Sequence, residues 1–416
     1  MHISLLIVIF LAFYLAFNLG ANDVANAMGT SVGSKAVTLK QALIIAGILE
    51  FTGAVLFGHE VTETLATNIV NPVLFSNAPQ LLLMGMISVL IACGLWLQIA
   101  TLRGLPVSSS HAVVGAIAGF SWVALGINAI AWSSIGLITV GWIITPVISG
   151  AIAALFYSQI QRWILKPENQ VAQLNEWIPW LSAALIGIFG VIVLPTLTHP
   201  ITELFIAKTG FRIPAHDISL LTGGFAVFGL TIYSWRQLAA GEKSKQSIEK
   251  IFGKYQLLSA CFVAFAHGSN DVGNAIAPLA TITYIIKNQV VPLGEINIPL
   301  WILVLGAGGI VTGLAVLGKK VIATIGESII TLQPSSGFCA ELATATTILM
   351  ASRFGLPVST SHALVGAVVG IGLVQDLKSV KLATLKNIAA AWVVTVPVSA
   401  ALSAIIFTLL NTIFGF

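Results

Sequence analysis

The chain has 416 residues, of which 57% are hydrophobic and 8% charged, and its formal net charge is +4. Soluble globular chains carry about 25% charged residues, so this composition, with a mean hydropathy of +0.98, excludes a soluble domain and indicates a polytopic membrane protein. No basic run suggests nucleic acid, and no CxxC or Cys/His cluster suggests a metal site.

The first apolar run, MHISLLIVIFLAFYLAFNLG, lacks the basic flank and the small-residue cleavage site of a signal peptide and reads as a retained span. Apolar segments then lie near 3–26, 37–58, 81–102, 107–126, 129–158, 178–199, 215–236, 255–277, 298–320, 337–352, 357–374 and 386–412. A spanning helix needs roughly 20 mostly apolar residues, which gives about twelve transmembrane segments. The segments 337–352 and 357–374 are short and nearly adjacent, which suits a re-entrant hairpin. The expected fold class is all-α integral membrane, with broken or re-entrant helices.

Orientation follows from the basic loops. Arg236, Lys243, Lys245, Lys250 and Lys254 surround one polar loop, 237–254, which is expected to be cytoplasmic. Lys35, Lys40, Arg162, Lys166, Lys319, Lys320, Lys378, Lys381 and Lys386 then fall on the same side. Glu60 and Glu63 fall outside, and both termini come out extracytoplasmic. Cys93, Cys261 and Cys339 lie in apolar stretches and read as packed thiols.

The sequence repeats itself. GLPVSSSHAVVGAIAG at 104–119 matches GLPVSTSHALVGAVVG at 355–370 in twelve of sixteen positions. GANDVANA at 20–27 pairs with GSNDVGNA at 268–275, and WIITPVISGA at 142–151 pairs with WVVTVPVSAA at 392–401. All three offsets are about 250 residues. The expected organisation is a first repeat at 1–158, two linking spans and the basic loop at 159–254, and a second repeat at 255–416. An odd number of crossings separates the copies, so they face opposite ways, as in many alternating-access carriers.

Four carboxylates sit in otherwise apolar stretches: Asp23, Glu50, Asp271 and Glu341. A carboxylate at the bilayer centre costs at least ~2.5–3.5 kcal/mol on insertion scales, so each needs a partner, a proton or a bound cation. Neither Asn-Asp motif offers a Lys or Arg. Asn22 and Asn26 share a helix face, as do Asn270 and Asn274. With Asp23, Asp271 and Glu341 they form a hard-oxygen set suited to sodium or another hard cation. The glycines before each Asn-Asp pair predict a local helix break that frees carbonyls. Gluing helices together is the competing role for these amides.

Pro106 and Pro357 suit a first helical turn. Ser108, Ser109 and Ser110, and Ser359, Thr360 and Ser361, follow at once. Unpaired N–H groups and hydroxyls at two such helix ends make a cradle for a tetrahedral anion, with simple capping as the alternative. Asp23 and Asp271 also suit that site, since a protonated phosphate can donate a hydrogen bond to a carboxylate. His111 and His362 close these motifs, and their expected roles are to stabilise the anion, bond the broken backbone or move a proton in coupling or gating, with a purely structural histidine as the alternative. Glu50 and Glu341 each occur in one copy only, facing Ile310 and Leu90 in the alignment of the copies, which suits coupling or gating.

These strings, with GANDVANAMGTSVGS at 20–34 and PSSGFCAE at 334–341, resemble the inorganic phosphate transporter family, called PiT or PHO4, over essentially the whole chain. The resemblance implies about a dozen spans in inverted repeats, external termini and phosphate uptake coupled to sodium or protons. It marks Asp23, Asp271, Glu50, Glu341, Ser108 and Ser359 as residues to test first. The implied partners are inorganic phosphate, sodium or a proton, and the lipid bilayer of a plasma (inner) membrane, with a homodimer allowed. No cofactor is expected beyond sodium as coupling ion. A sulfate permease of the same fold, a passive channel and an intramembrane serine hydrolase are the rival readings.

Overall fold

In a bilayer every backbone polar group must find its partner within the protein, which leaves helices as the natural solution for an apolar chain. The computed structural model describes residues 5–209, 214, 216–241, 245–325, 330–376 and 380–414, and among them no strand occurs. The helices are α1 (Leu5–Gly33), α2 (Leu39–Phe57), α3 (His59–Thr67), α4 (Pro72–Phe75), α5 (Pro79–Leu102), α6 (Ser109–Leu125) and α7 (Trp132–Ile160). They continue with α8 (Gln170–Thr209), α9 (Asp217–Ala240), α10 (Lys245–Asn288), α11 (Leu300–Ile325), α12 (Pro334–Arg353), α13 (Thr360–Gln375) and α14 (Leu382–Phe414).

Each predicted apolar segment falls on one of these helices. Eight of the helices are long and apolar enough to cross a membrane. The predicted hairpin is α12 and α13, and α13 has only 16 residues. The first repeat builds the same hairpin from α5 and the 17-residue α6. Both turn through a left-handed glycine, Gly104 at φ 65° and Gly355 at φ 63°, a conformation that costs glycine little. The proline two residues on does not open the second arm: α6 starts at Ser109 and α13 at Thr360, so Pro106 and Pro357 lie in the extended turn ahead of the caps and not in the first helical turn that the sequence suggested.

Two further expectations need correction. The predicted break at the Asn-Asp motifs is absent: α1 and α10 run as continuous helices through residues 20–27 and 268–275. Their glycines serve close approach instead. A Cβ on Gly20 would lie 2.0 Å from the Ile310 carbonyl oxygen, and one on Gly268 would lie 2.1 Å from that of Glu50. The chain is broken at the hairpin turns instead. Nor is 237–254 a loop, because α10 already begins at Lys245. Ile248, Ile251, Phe252 and Tyr255 are buried at the spacing of one helical face, and that burial extends the helix. Lys35, Lys250 and Lys254 line one cavity of about 850 Å³, so the structure gathers these lysines at one end. Lys243, Lys378 and both chain ends lie outside the described residues.

The repeats interlock rather than sit side by side. Gly20 of α1 packs on α11, and Gly268 of α10 packs on α2. Positions for a Cβ at Gly115 and Gly119 of α6 meet the α14 backbone at Val396 and Ala400; those at Gly366 and Gly370 of α13 meet α7 at Pro146 and Gly150. Every one of these contacts joins one repeat to the other. The hydrophobic cores follow suit: one is centred on α1, α2, α5, α6, α10 and α11, another on α7, α8, α12 and α13.

Candidate functional site

The two hairpin turns carry the hydroxyl motifs inward. Ser108 is the N-cap of α6, and its Oγ accepts from the His111 N–H at 3.4 Å. Ser359 caps α13 in the same way, accepting from His362 N–H at 3.3 Å. Capping is thus the geometry of the first hydroxyl in each motif. Ser108 also bonds Ser110 at 3.1 Å, and Ser359 bonds Ser361 at 2.9 Å. The middle hydroxyl of each triplet faces the motif helices. Thr360 Oγ1 donates to Asp271 Oδ2 at 3.0 Å and accepts from Asn26 at 3.4 Å. Ser109 Oγ accepts from Asn274 at 3.2 Å. All six hydroxyl residues are buried.

The amides of α1 and α10 hold the hairpins. Asn22 donates to Thr101 Oγ1 at 3.0 Å and to the Leu105 carbonyl at 3.2 Å. Asn270 donates to Ser352 Oγ at 3.0 Å and to the Leu356 carbonyl at 3.2 Å. Both carbonyls belong to the hairpin turns, where no helix claims them. The adhesive role weighed for these amides is therefore real for their nitrogens. Their oxygens face elsewhere: Asn22 Oδ1, Asn270 Oδ1 and Asn274 Oδ1 are buried with no donor among the described residues, as are Asp23 Oδ2 and Asp271 Oδ1.

Asp23 and Asp271 meet at the centre. Ligand atoms of Asp23, His267 and Asp271 all lie within 4.8 Å of one another. His267 is the residue that sequence reasoning missed. Its Nε2 lies 2.9 Å from Asp271 Oδ2, one helical turn away, and its Nδ1 lies 3.3 Å from Glu50 Oε1. Thus the second motif does have an ionisable nitrogen partner, just outside the string that repeats. The i,i+4 spacing to Asp271 was the available signal; the first copy has Leu19 there.

Glu341 lies in a different setting. It accepts from Thr30 at 2.7 Å, Ser31 at 2.6 Å, Gln256 at 3.1 Å and Ser259 at 2.9 Å. Asn22, Asn26, Asn270 and Asn274 are not among these donors. The PSSGFCAE string begins the helix that carries it: Pro334 opens α12, and the Glu249 carboxylate accepts from Ser335 N–H at 3.0 Å and Ser335 Oγ at 2.8 Å. A carboxylate there suits the unpaired N–H groups of a helix start.

His111 and His362 meet between the hairpins, with ring centroids 4.7 Å apart. Each reaches a backbone carbonyl of the other repeat, His111 Nδ1 at Trp392 O and His362 Nδ1 at Trp142 O. Neither imidazole bonds a hydroxyl of its own motif, so the Ser–His pairing of a hydrolase is not formed.

Comparison with known proteins fits this geometry. The phosphate transporter family matches residues 19–403. A relative from Haemophilus influenzae is 41% identical over 387 residues, covering 92% of this chain and 91% of its own. The Arabidopsis thaliana protein "Inorganic phosphate transporter 2-1, chloroplastic" is 39% identical over 410 residues, covering 92% of this chain and 68% of its own. A solved structure described as "The sodium-dependent phosphate transporter" superposes with a TM-score of 0.87 at 36% identity, covering 98% of this chain and 99% of that one. These matches take in both copies of the Asn-Asp and hydroxyl motifs, and on that breadth the chain, a multi-pass membrane protein and not an enzyme, belongs to the phosphate transporter family.

Proposed function

We propose that this transporter imports inorganic phosphate by symport with a cation, sodium in preference to a proton. One observation carries the reading: Asn22 Oδ1, Asp23 Oδ2, Asn270 Oδ1, Asp271 Oδ1 and Asn274 Oδ1 are buried and find no donor among the described residues. A buried acceptor left unpaired costs about 1–3 kcal/mol, and a hard cation satisfies several at once. The similar solved structure is that of a sodium-dependent transporter, which supports the same choice. Asp23, Asp271 and Glu50 outnumber the single imidazole between them, so an anion entering here needs added positive charge. Coupling to a cation also draws on the membrane potential, roughly 2.3 kcal/mol per charge per 100 mV.

In this reading Ser109, Ser110, Thr360 and Ser361, with the N–H groups at the starts of α6 and α13, receive the phosphate. Asp23 or Asp271 accepts from its protonated oxygen, which is what favours phosphate over sulfate. Alternating access is the rocking of interlocked inverted repeats about this centre. The setting is a plasma (inner) membrane with the lysine-lined end cytoplasmic, and the chain works alone or as a homodimer.

Purified protein should bind phosphate with sodium and lose most of that binding when choline replaces sodium at fixed pH. Equal binding in both salts would remove sodium from the scheme. Excess sulfate should leave uptake of labelled phosphate largely intact; full competition would favour the sulfate permease.

A further inference from the structure

The last helix of each repeat carries a proline, but not at the same place. In α7 the string is Trp142-Ile-Ile-Thr-Pro146; in α14 it is Trp392-Val-Val-Thr-Val-Pro397. A helix joins the carbonyl of one residue to the N–H four residues on, and proline has no N–H. Pro146 therefore deprives Trp142 O of its helical partner. Pro397 is shifted by one, so it deprives Val393 O and leaves Trp392 O its partner at Val396.

The histidines respond to this difference. His362 Nδ1 lies 3.0 Å from Trp142 O, the carbonyl that proline has freed. His111 Nδ1 lies 3.3 Å from Trp392 O, the carbonyl still served by its own helix. A carbonyl only accepts, so each Nδ1 must be the donor, and each Nε2 is an acceptor without a partner among the described residues. Packing holds the rings as well: His362 lies against Trp392 at 3.7 Å and His111 against Trp142 at 3.8 Å between centroids, each pair tilted by 40–45°.

We propose that His362 is a positioning residue for phosphate transport: it replaces the hydrogen bond that Pro146 removes from Trp142 and so anchors the hydroxyl-bearing end of α13 to α7. His362 follows Thr360 by two residues, and Thr360 donates to Asp271. Loosening the anchor shifts that hydroxyl against the carboxylate. The effect on transport rests on reading these hydroxyls as the phosphate site, whereas the anchor itself does not. His111 occupies the matching place but adds a second, weaker bond to a carbonyl already served.

The test is a double-mutant cycle. His362→Phe keeps a flat ring and removes the donor; His362→Asn keeps a donor; Pro146→Ala restores the N–H that reclaims Trp142 O. Two quantities are read: thermal stability in detergent without phosphate, and the KM for phosphate in proteoliposomes. His362→Phe is expected to raise KM about fivefold, the worth of one typical hydrogen bond, and to lower the melting temperature. Both effects should shrink to less than half in the Pro146→Ala background, and His362→Asn should recover most of each. Pro397→Ala should give His111→Phe no such relief. Equal losses from His362→Phe in both proline backgrounds, in stability as in KM, would overturn the anchor. Relief in stability with KM never moved would overturn the positioning role while leaving phosphate transport itself untouched.

Discussion

In the first repeat Asn22 ties α1 to a side-chain oxygen at 3.0 Å and a turn carbonyl at 3.2 Å; in the second, Asn270 ties α10 to its own pair at the same two distances. The hydroxyl caps, the turn glycines and the helix contacts through Gly20 and Gly268 match as closely. The carboxylates do not. Glu50 and His267 stand where the other half has Ile310 and Leu19, and the close contacts of Gly20 with Ile310 and of Gly268 with Glu50 prove that alignment in space. Symmetric parts frame the site, and unsymmetric charges sit behind one side of it.

The symmetric frame should be the most fragile part. Gly20→Ala and Gly268→Ala each place a Cβ about 2 Å from a backbone oxygen, a contact that only helix separation relieves. Each should cost about 3 kcal/mol or more, seen as loss of folded protein in detergent. The two losses should be equal within error. A large difference between them would mean that the frame is not equivalent in the two halves.

Next comes the pair of aspartates, which share a sequence motif but not an environment. Asp271 accepts from Thr360 and lies 2.9 Å from His267 Nε2; Asp23 accepts a longer bond from Asn26, at 3.4 Å, and comes within 4.8 Å of the same ring. Asp271→Asn disrupts the buried contact with His267 Nε2 and the bond from Thr360, and should cost about 3 kcal/mol of stability. Asp23→Asn should cost under about 1 kcal/mol, while still lowering sodium-dependent phosphate binding. Thermal unfolding and binding, measured on the same preparations, separate the two effects. Matching stability losses would show that His267 does not favour Asp271 over Asp23.

How much of this was legible beforehand follows the same division. The twelve apolar segments, the second hairpin and the doubled motifs are patterns of composition and repetition, and each is written locally along the chain. The break expected at Gly20 and Gly268 was not, because the same glycine serves a kink or a close approach. Only the neighbouring backbone, 290 residues away for Gly20 and 218 for Gly268, decides which. His267 was hidden for a related reason. Comparing the copies draws the eye to what they share, and His267 matters because its counterpart is leucine. The clustering of Asp23 with Asp271 could be inferred from symmetry. The separate nest of Glu341 depends on four donors from two other helices and could not.

The unsymmetric charges allow a more specific break. Glu50→Ile alone leaves the His267 imidazole facing an apolar wall on one side. Converting both, Glu50→Ile with His267→Leu, gives this half the residues of the other. The double variant should be more stable than the sum of the two single losses by about 1–2 kcal/mol, from a thermal double-mutant cycle. If these groups link cation binding to phosphate binding, the double variant should also keep phosphate exchange but lose net cation-driven uptake. Strict additivity in stability would mean that Glu50 and His267 do not interact.

The last comparison concerns Glu341, where the halves differ most. The residues matching Thr30, Ser31, Gln256 and Ser259 in the other half are Pro278, Leu279, Val8 and Leu11, and Leu90 matches Glu341 itself. A complete polar nest thus faces a complete apolar one. Ser31→Ala removes one donor, at 2.6 Å, and leaves Thr30, Gln256 and Ser259 in place. The carboxylate stays satisfied, so the loss should be about 1 kcal/mol, a melting shift of a few degrees. Glu341→Leu copies the other half at one position only and strands four donors, so it should cost several times more. That ratio is the measurement: a Ser31→Ala loss as large as that of Glu341→Leu would show that one hydroxyl, not the nest, holds the carboxylate.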